Sequence, residues 1–189
     1  MRKIVFSIHV SLDGMVTGPN GEMDWITYNE EVAADSHSMH ATTDAAIYGR
    51  VTYDMMAKYY PTLLSNPDSD PIDRRHAVWL ENAAKIVASR SPLTVNWAGT
   101  VVIGADIASE IAALKAQPGK DLWLLGSPTL AQTFMRLDLI DEYRLNVNPV
   151  ILGRGKPLFN DLETPRRLSL VESKPFKGGV IGLRYVPNR

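Results

Sequence analysis

The order in which strand-like and helix-like runs alternate constrains this chain more than any single motif. Residues 3–10 are a β-branched, aromatic-bearing run of strand length. Short apolar runs recur at Ala45-Ala46-Ile47-Tyr48, Lys85-Ile86-Val87-Ala88, Thr100-Val101-Val102-Ile103 and Leu122-Trp123-Leu124-Leu125. Helix-length segments lie between them. One opens at a capping box, Thr27-Tyr28-Asn29-Glu30, and runs to about Met39. Others cover Val51 to Lys58, Pro71 to Glu81, Asp106 to Ala116 and Ser127 to about Leu137. Residues 13–25 are dense in turn formers and read as a mobile loop, and 60–76 as a surface excursion running into the Pro71 helix. After residue 150 the helical runs stop. Residues 142–150 alternate as a strand, and two more strands are expected near 167–173 and 180–186, separated by Lys177-Gly178-Gly179. Strands that alternate with helices need crossovers, which favour a parallel sheet with a helix layer on each face. The expected fold class is therefore α/β, with a mostly parallel central sheet, helices on both faces and an antiparallel C-terminal edge. With no repeat and no linker, residues 1–189 read as a single domain.

Composition removes several classes of function. Lys plus Arg is 20 against 21 for Asp plus Glu, a net charge of −1, so no basic stripe awaits nucleic acid. The longest apolar runs, such as Val150-Ile151-Leu152, fall far short of the roughly 20 residues that span a bilayer. His9 and Ser11-Leu12-Asp13-Gly14 break the N-terminal apolar run before a signal-cleavage site could follow, so the chain reads as cytoplasmic, with neither nucleic acid nor membrane as partner. The absence of cysteine excludes thiol nucleophiles, CxxC redox pairs and thiolate metal sites. His37 and His40 stand three apart on a helix, a spacing that can hold a metal. With no third ligand in view they read as an exposed polar face, and no metal is expected. His9, inside a strand, reads as a core or pocket-rim residue.

Three places put a glycine or small polar residue where a strand gives way to a helix or turn. They are Tyr48-Gly49-Arg50-Val51-Thr52, Ala88-Ser89-Arg90-Ser91 and Leu125-Gly126-Ser127-Pro128-Thr129. Helix N-termini present unpaired N–H groups and partial positive charge, so they cradle phosphates. Arg50 and Arg90 add guanidinium forks, and Thr52, Ser89 and Ser127 add hydroxyls. Neither GxGxxG nor GxxxxGK[ST] occurs. Taken together, the three turns suit a cofactor with a pyrophosphate and an extra monophosphate, as NADPH has.

Four segments carry a resemblance to a known family: Ser11-Leu12-Asp13-Gly14, Gly49-Arg50-Val51-Thr52, Leu125-Gly126-Ser127-Pro128-Thr129-Leu130, and the stretch from Leu139 through Pro149-Val150-Ile151-Leu152-Gly153-Arg154-Gly155-Lys156-Pro157-Leu158-Phe159. The sequence resembles the dihydrofolate-reductase-like superfamily. Within it, the chain is most similar to the branch of the C-terminal reductase domain of bifunctional riboflavin biosynthesis proteins. The resemblance implies a three-layer dihydrofolate-reductase-like fold, an NADPH-dependent oxidoreductase acting on a small molecule, and a homodimer. It implies that Gly49, Arg50 and Thr52 hold cofactor phosphates, that Ser89 and Arg90 sit at the adenosine 2′-phosphate, and that Gly126, Ser127, Pro128, Thr129 and Leu130 lie under the pyrophosphate and near the nicotinamide. Asp13 would be the catalytic proton donor and would touch substrate, with Glu22, Asp24 and Trp25 of the following loop as further substrate contacts.

Each of those four has a plainer reading as well. Asp13 suits the turn that Asp-Gly signals, Glu22 and Asp24 suit solvated loop charges, and Trp25 suits a loop plug. Two departures stand out. Ser127-Pro128 follows Gly126 where the family often has consecutive glycines. On the first helix Glu30, Glu31 and Asp35 occupy the region of the acid that binds pterin in dihydrofolate reductases, and none of them aligns with it. The function implied is reduction of a heterocyclic or sugar-imine substrate of the 5-amino-6-(5-phosphoribosylamino)uracil type. Dihydrofolate reductase proper and a non-catalytic NADP-binding module are the alternatives.

Overall fold

A computed structural model describes residues 1–160 and 162–188. Eight strands make the main sheet: β1 (Ile4–Ser11), β3 (Thr43–Gly49), β4 (Ala84–Ala88), β5 (Thr100–Ile103), β6 (Asp121–Leu125), β7 (Glu142–Asn148), β9 (Leu168–Pro175) and β10 (Ile181–Pro187). Their spatial order is β5-β4-β3-β6-β1-β7-β10-β9. The first six positions run parallel, and β10 and β9 join antiparallel. Five helices connect them: α1 (Glu30–Thr42), α2 (Arg50–Ser65), α3 (Pro71–Asn82), α4 (Ile107–Ala116) and α5 (Pro128–Arg136).

Strand alternation sorts the core into two layers. Ile4, Phe6, Ala45, Ile47, Leu122 and Leu124 face one way, against Ile111 of α4 and Leu130, Ala131 and Phe134 of α5. Their neighbours Ala46 and Tyr48 face the other way, against Tyr53 and Ala57 of α2 and Leu80 of α3, while Val5 and Trp123 meet Met39 of α1. A strand covered on both faces must be apolar at nearly every position, which is why these runs are continuous rather than alternating. Each fully buried Ile, Leu or Phe contributes about 1.5–3 kcal/mol relative to exposure. The fold is the three-layer dihydrofolate-reductase-like α/β arrangement.

The structure departs from the sequence reading in three places. The N-cap of α1 is Asn29, whose side chain accepts the Glu31 and Val32 N–H groups, and not Thr27, whose own N–H is held by Asn148. Helix α2 continues through Pro61 to Ser65, taking up the first part of the segment read as an excursion. Its buried stripe of Tyr53, Ala57 and Leu63 carries the packing past the proline. The loop read as mobile is pinned near its start. Met15–Thr17 (β2) pairs antiparallel with Lys156–Pro157 (β8) in a separate ribbon, and Leu158 N–H donates to the Gly14 carbonyl at 2.9 Å. Gly155, with φ of +151°, lets the chains approach here, since a Cβ would lie 2.1 Å from the Thr17 carbonyl oxygen.

Candidate active site

Strands β4, β3, β6 and β1 are neighbours and run in the same direction, so their carboxyl ends open on one side of the sheet. A pocket of about 1080 Å³ lies there, at the edge where open α/β sheets bind ligands. Its wall includes Gly49, Arg50 and Thr52 at the β3–α2 turn, Ser89 and Arg90 after β4, and Gly126, Ser127, Pro128, Thr129 and Leu130 at the β6–α5 turn. All ten residues expected to bind the cofactor thus meet in one cavity.

Two of the turns are locked to each other. Gly49 N–H donates to Ser127 Oγ at 2.9 Å, which leaves the Ser127 hydroxyl proton free to donate to a ligand. Gly126 (φ +52°) and Ser127 (φ +54°) are both left-handed. Ser127 therefore adopts a backbone conformation that glycine takes more readily, at a cost of about 1–2 kcal/mol. A Cβ placed on Gly126 would meet nothing closer than Thr52 Cγ2 at 3.9 Å, so open pocket lies above it. Arg50 pairs only loosely with Asp54, at 3.4 Å, and remains half-exposed. Among the described lining residues the cations are Arg50, Arg90 and Lys156 and the one carboxylate is Asp73, a balance that favours an anionic ligand.

The four residues expected at the substrate are placed differently. Asp13, Glu22, Asp24 and Trp25 are not among the lining residues, although their neighbours Gly21, Met23 and Ile26 are. Asp13 has structural partners instead. Its carboxylate accepts the Ser11 hydroxyl at 2.6 Å and the backbone N–H groups of Leu152 and Gly153 at 3.1 and 2.7 Å. The Ser11 bond, followed by the two backbone bonds, holds its pKa below the usual carboxylate value. Glu22 is turned onto Asn20, again with a lowered pKa, chiefly through the Asn20 side chain. Trp25 Nε1 donates to the Glu22 carbonyl. On α1, Glu31 and Asp35 are paired with Lys177 and Lys174 of the hairpin region, Glu30 is exposed, and none of the three lines the pocket.

The wall also contains residues that the sequence reading passed over or left without a role: Ser7 and Ile8 of β1, Tyr28, Met55, Met56, Tyr60, Asp73, His76, Asn146 of β7 and Lys156 of β8. Lys156 Nζ donates to Thr129 Oγ1 at 2.6 Å, tying the ribbon to the start of α5. His9, on the rim as anticipated, is kept neutral by burial, which pushes its pKa down to about 4. Tyr28 rises to about 12, first through burial and then through the charges of Asp73 and Asp70.

The histidines of α1 are not an exposed polar face. His37 and His40 stack on each other and on His76 of α3, with ring centroids 4.8–6.0 Å apart. His40 also stacks on Trp79 at 5.1 Å. The third member was invisible in sequence because it lies 36 residues beyond His40 and arrives only when α3 packs on α1. Burial first, and then the neighbouring histidines, lowers His40 to about 4 and His76 to about 3.

The fold, with three strand-end turns meeting in one pocket at the carboxyl edge of a mostly parallel sheet, is that of the dihydrofolate-reductase-like class. Dihydrofolate reductase from Enterococcus faecalis shares that fold at a TM-score of 0.65 and 14% identity, over 99% of this chain and 97% of its own. Residues 2–181 match the RibD C-terminal domain, and the chain belongs to that family. YyaP of Bacillus subtilis (strain 168), itself an uncharacterized protein, is 34% identical over 186 residues, covering 97% of this chain and 94% of that one. A Shewanella sp. PV-4 protein provisionally assigned to riboflavin biosynthesis superposes with a TM-score of 0.77 at 25% identity, over the full length of both chains.

Proposed function

We propose that this chain is an NADPH-dependent oxidoreductase that reduces a small heterocyclic or sugar-imine substrate, of the kind met by 5-amino-6-(5-phosphoribosylamino)uracil reductases. The observation that carries this reading is the meeting of three separate turns, two of them helix N-termini, in one net-positive pocket at the carboxyl edge of the sheet. NADPH, when bound, supplies the hydride. The chain contributes position and charge. Arg90 and Ser89 would hold the 2′-phosphate, Arg50 and Thr52 the neighbouring phosphates, and the open face of Gly126 with the α5 N-terminus the pyrophosphate. Met55, Met56, Ile8 and Ile26 give the pocket its apolar lining. Asp13 is a positioning residue on this reading. By clamping the 152–153 backbone it fixes the ribbon that carries Lys156. Asp73 or water then brings the proton.

Titration of NADPH into wild type and Gly126→Asn tests the cofactor site. Asparagine tolerates the left-handed backbone, and its side chain would fill the space above residue 126. NADPH affinity should fall by at least about tenfold in a protein that keeps its circular dichroism spectrum, a loss of about 1.4 kcal/mol. Unchanged affinity in that variant would remove the β6–α5 turn from the site.

A further inference from the structure

Four histidines occur in the whole chain, and three of them, His37, His40 and His76, each bring one ring nitrogen within 4.8 Å of the nitrogens of the other two. Two come from consecutive turns of α1 and one from α3. Such a convergence is unneeded for packing alone, since phenylalanine would fill the same stack beside Trp79 and Trp123 without a desolvation penalty. The hydrogen bonding inside the cluster is also incomplete. His40 Nε2 and His76 Nδ1 lie 2.9 Å apart and share one proton, but His37 Nε2 is buried with no partner. A buried ring nitrogen without a partner calls for explanation.

We propose that His37, His40 and His76 form a binding site for a late first-row divalent metal ion, Zn²⁺ above all, that ties α1 to α3 beside the end of the pocket lined by Ser36, Tyr60 and Asp73. Three imidazoles with a fourth position left to water or an anion are an established Zn²⁺ donor set, with Zn–N of about 2.0–2.1 Å. An all-imidazole set suits Zn²⁺, Ni²⁺ and Cu²⁺ and disfavours Mg²⁺ and Ca²⁺. Tetrahedral coordination at that distance needs ring nitrogens about 3.3 Å apart. The His40–His76 pair is already near this value, and the half-buried His37 ring closes the rest by side-chain rotation. His40 or His76 moves its shared proton to its other ring nitrogen as the ion enters. Arg75 opposes the incoming charge and Asp73 offsets it, since both act on the His37 ring. His76 belongs also to the pocket wall, together with Ser36, Tyr60 and Asp73. An ion held here would therefore fix the spacing of the two helices that bound that end.

The site is independent of the reductase reading, because metal is titrated into the full-length, untagged chain without cofactor or substrate. Calorimetry with Zn²⁺ should give one ion per chain at micromolar affinity or tighter, and Co²⁺ should develop the visible absorption of a tetrahedral nitrogen site. His37→Ala removes the half-buried ring that makes no Nε2 hydrogen bond, and its circular dichroism spectrum checks that the fold is kept. It and His76→Gln should each weaken binding by at least about tenfold, whereas His9→Gln should leave it unchanged. If His76→Gln does not fold, His37→Ala decides. The proposal is overturned by wild type that shows no saturable one-to-one binding. Zn²⁺ affinity that survives His37→Ala, or is lost in His9→Gln, also overturns it.

Discussion

At the residue scale, the proposed cofactor reading gives the two arginines of the pocket separable roles. Arg90 is exposed two residues beyond Ala88, the register partner of Gly49, and is the candidate for the phosphate that distinguishes NADPH from NADH. A charge-assisted contact of this kind contributes about 1.5–3 kcal/mol. Arg90→Ala should thus lower NADPH affinity roughly 10–100-fold and leave NADH affinity nearly unchanged, as read by calorimetry. Equal losses for both cofactors would place Arg90 on a shared phosphate instead. His9 gives a pH prediction. Its folded pKa of about 4 lies below the ordinary 6.5 because burial disfavours the imidazolium. The unfolded chain takes up the proton first, so this residue costs nothing above about pH 6.5, and stability falls as pH drops from there toward 4. The full effect is up to about 3 kcal/mol. Denaturant unfolding of wild type and His9→Gln at neutral pH and near pH 4.5 should show wild type losing more stability than the variant.

At the element scale, α2 is the clearest case of an end set from outside the helix. Its last carbonyls are held by Arg74 of α3, whose guanidinium donates to Leu63, Leu64 and Asn66 at 3.5, 3.3 and 3.0 Å. Unsatisfied helix C-termini favour such cations. Arg74→Met keeps the side-chain bulk and removes the donors, and it should destabilise the fold by about 1–3 kcal/mol, seen as a lower denaturant midpoint. A midpoint equal to that of wild type would mean that water caps these carbonyls as well. That contact also shows what was legible in the sequence. Strand runs, the Pro71 and Pro128 helix starts and the three glycine or serine turns are local, and local chemistry dictates them. Arg74 acting on Leu63, Asp13 acting on Leu152 and Gly153, and His76 joining His37 and His40 depend on packing between distant segments. No spacing rule reports such contacts. Asp13 is instructive, because an Asp after the first strand can face a ligand or clamp a loop, and the deciding partners lie 139 and 140 residues away. The three turns that meet in the pocket were readable because each needs only a strand end, followed in two of them by a helix start. The part of the wall built by Tyr28, Tyr60, Asp73 and His76 was not, because these residues come from three separate segments with no shared motif.

At the scale of the whole molecule, the sheet is unevenly covered. Its centre carries helices on both faces, the short β5 exposes two of its four residues at one end, and the longer β9 closes the other end with seven of its eight residues exposed. Leu170 and Val171 are 54% and 49% exposed, and they lie where the register of β9 against β10 shifts, with Val171 skipped between the pairs Leu170–Tyr185 and Glu172–Arg184. The edge of the sheet at β9 therefore carries exposed apolar side chains beside its outward backbone groups, an arrangement that natural proteins pair or cover. A second copy meets the requirement with one self-complementary surface about a two-fold axis. Lys174 and Pro175 sit at one end of the strand and discourage open-ended growth from it. The expected state is a homodimer, with light scattering at micromolar concentration giving twice the mass of one chain. Leu170→Asp puts a charge on this exposed stretch without entering the core, so it should shift the mass to that of a monomer while the thermal transition stays cooperative. Wild type at the mass of a single chain would show that Lys174 and Pro175 protect the edge unaided. A Leu170→Asp variant that remains dimeric would move the interface away from β9.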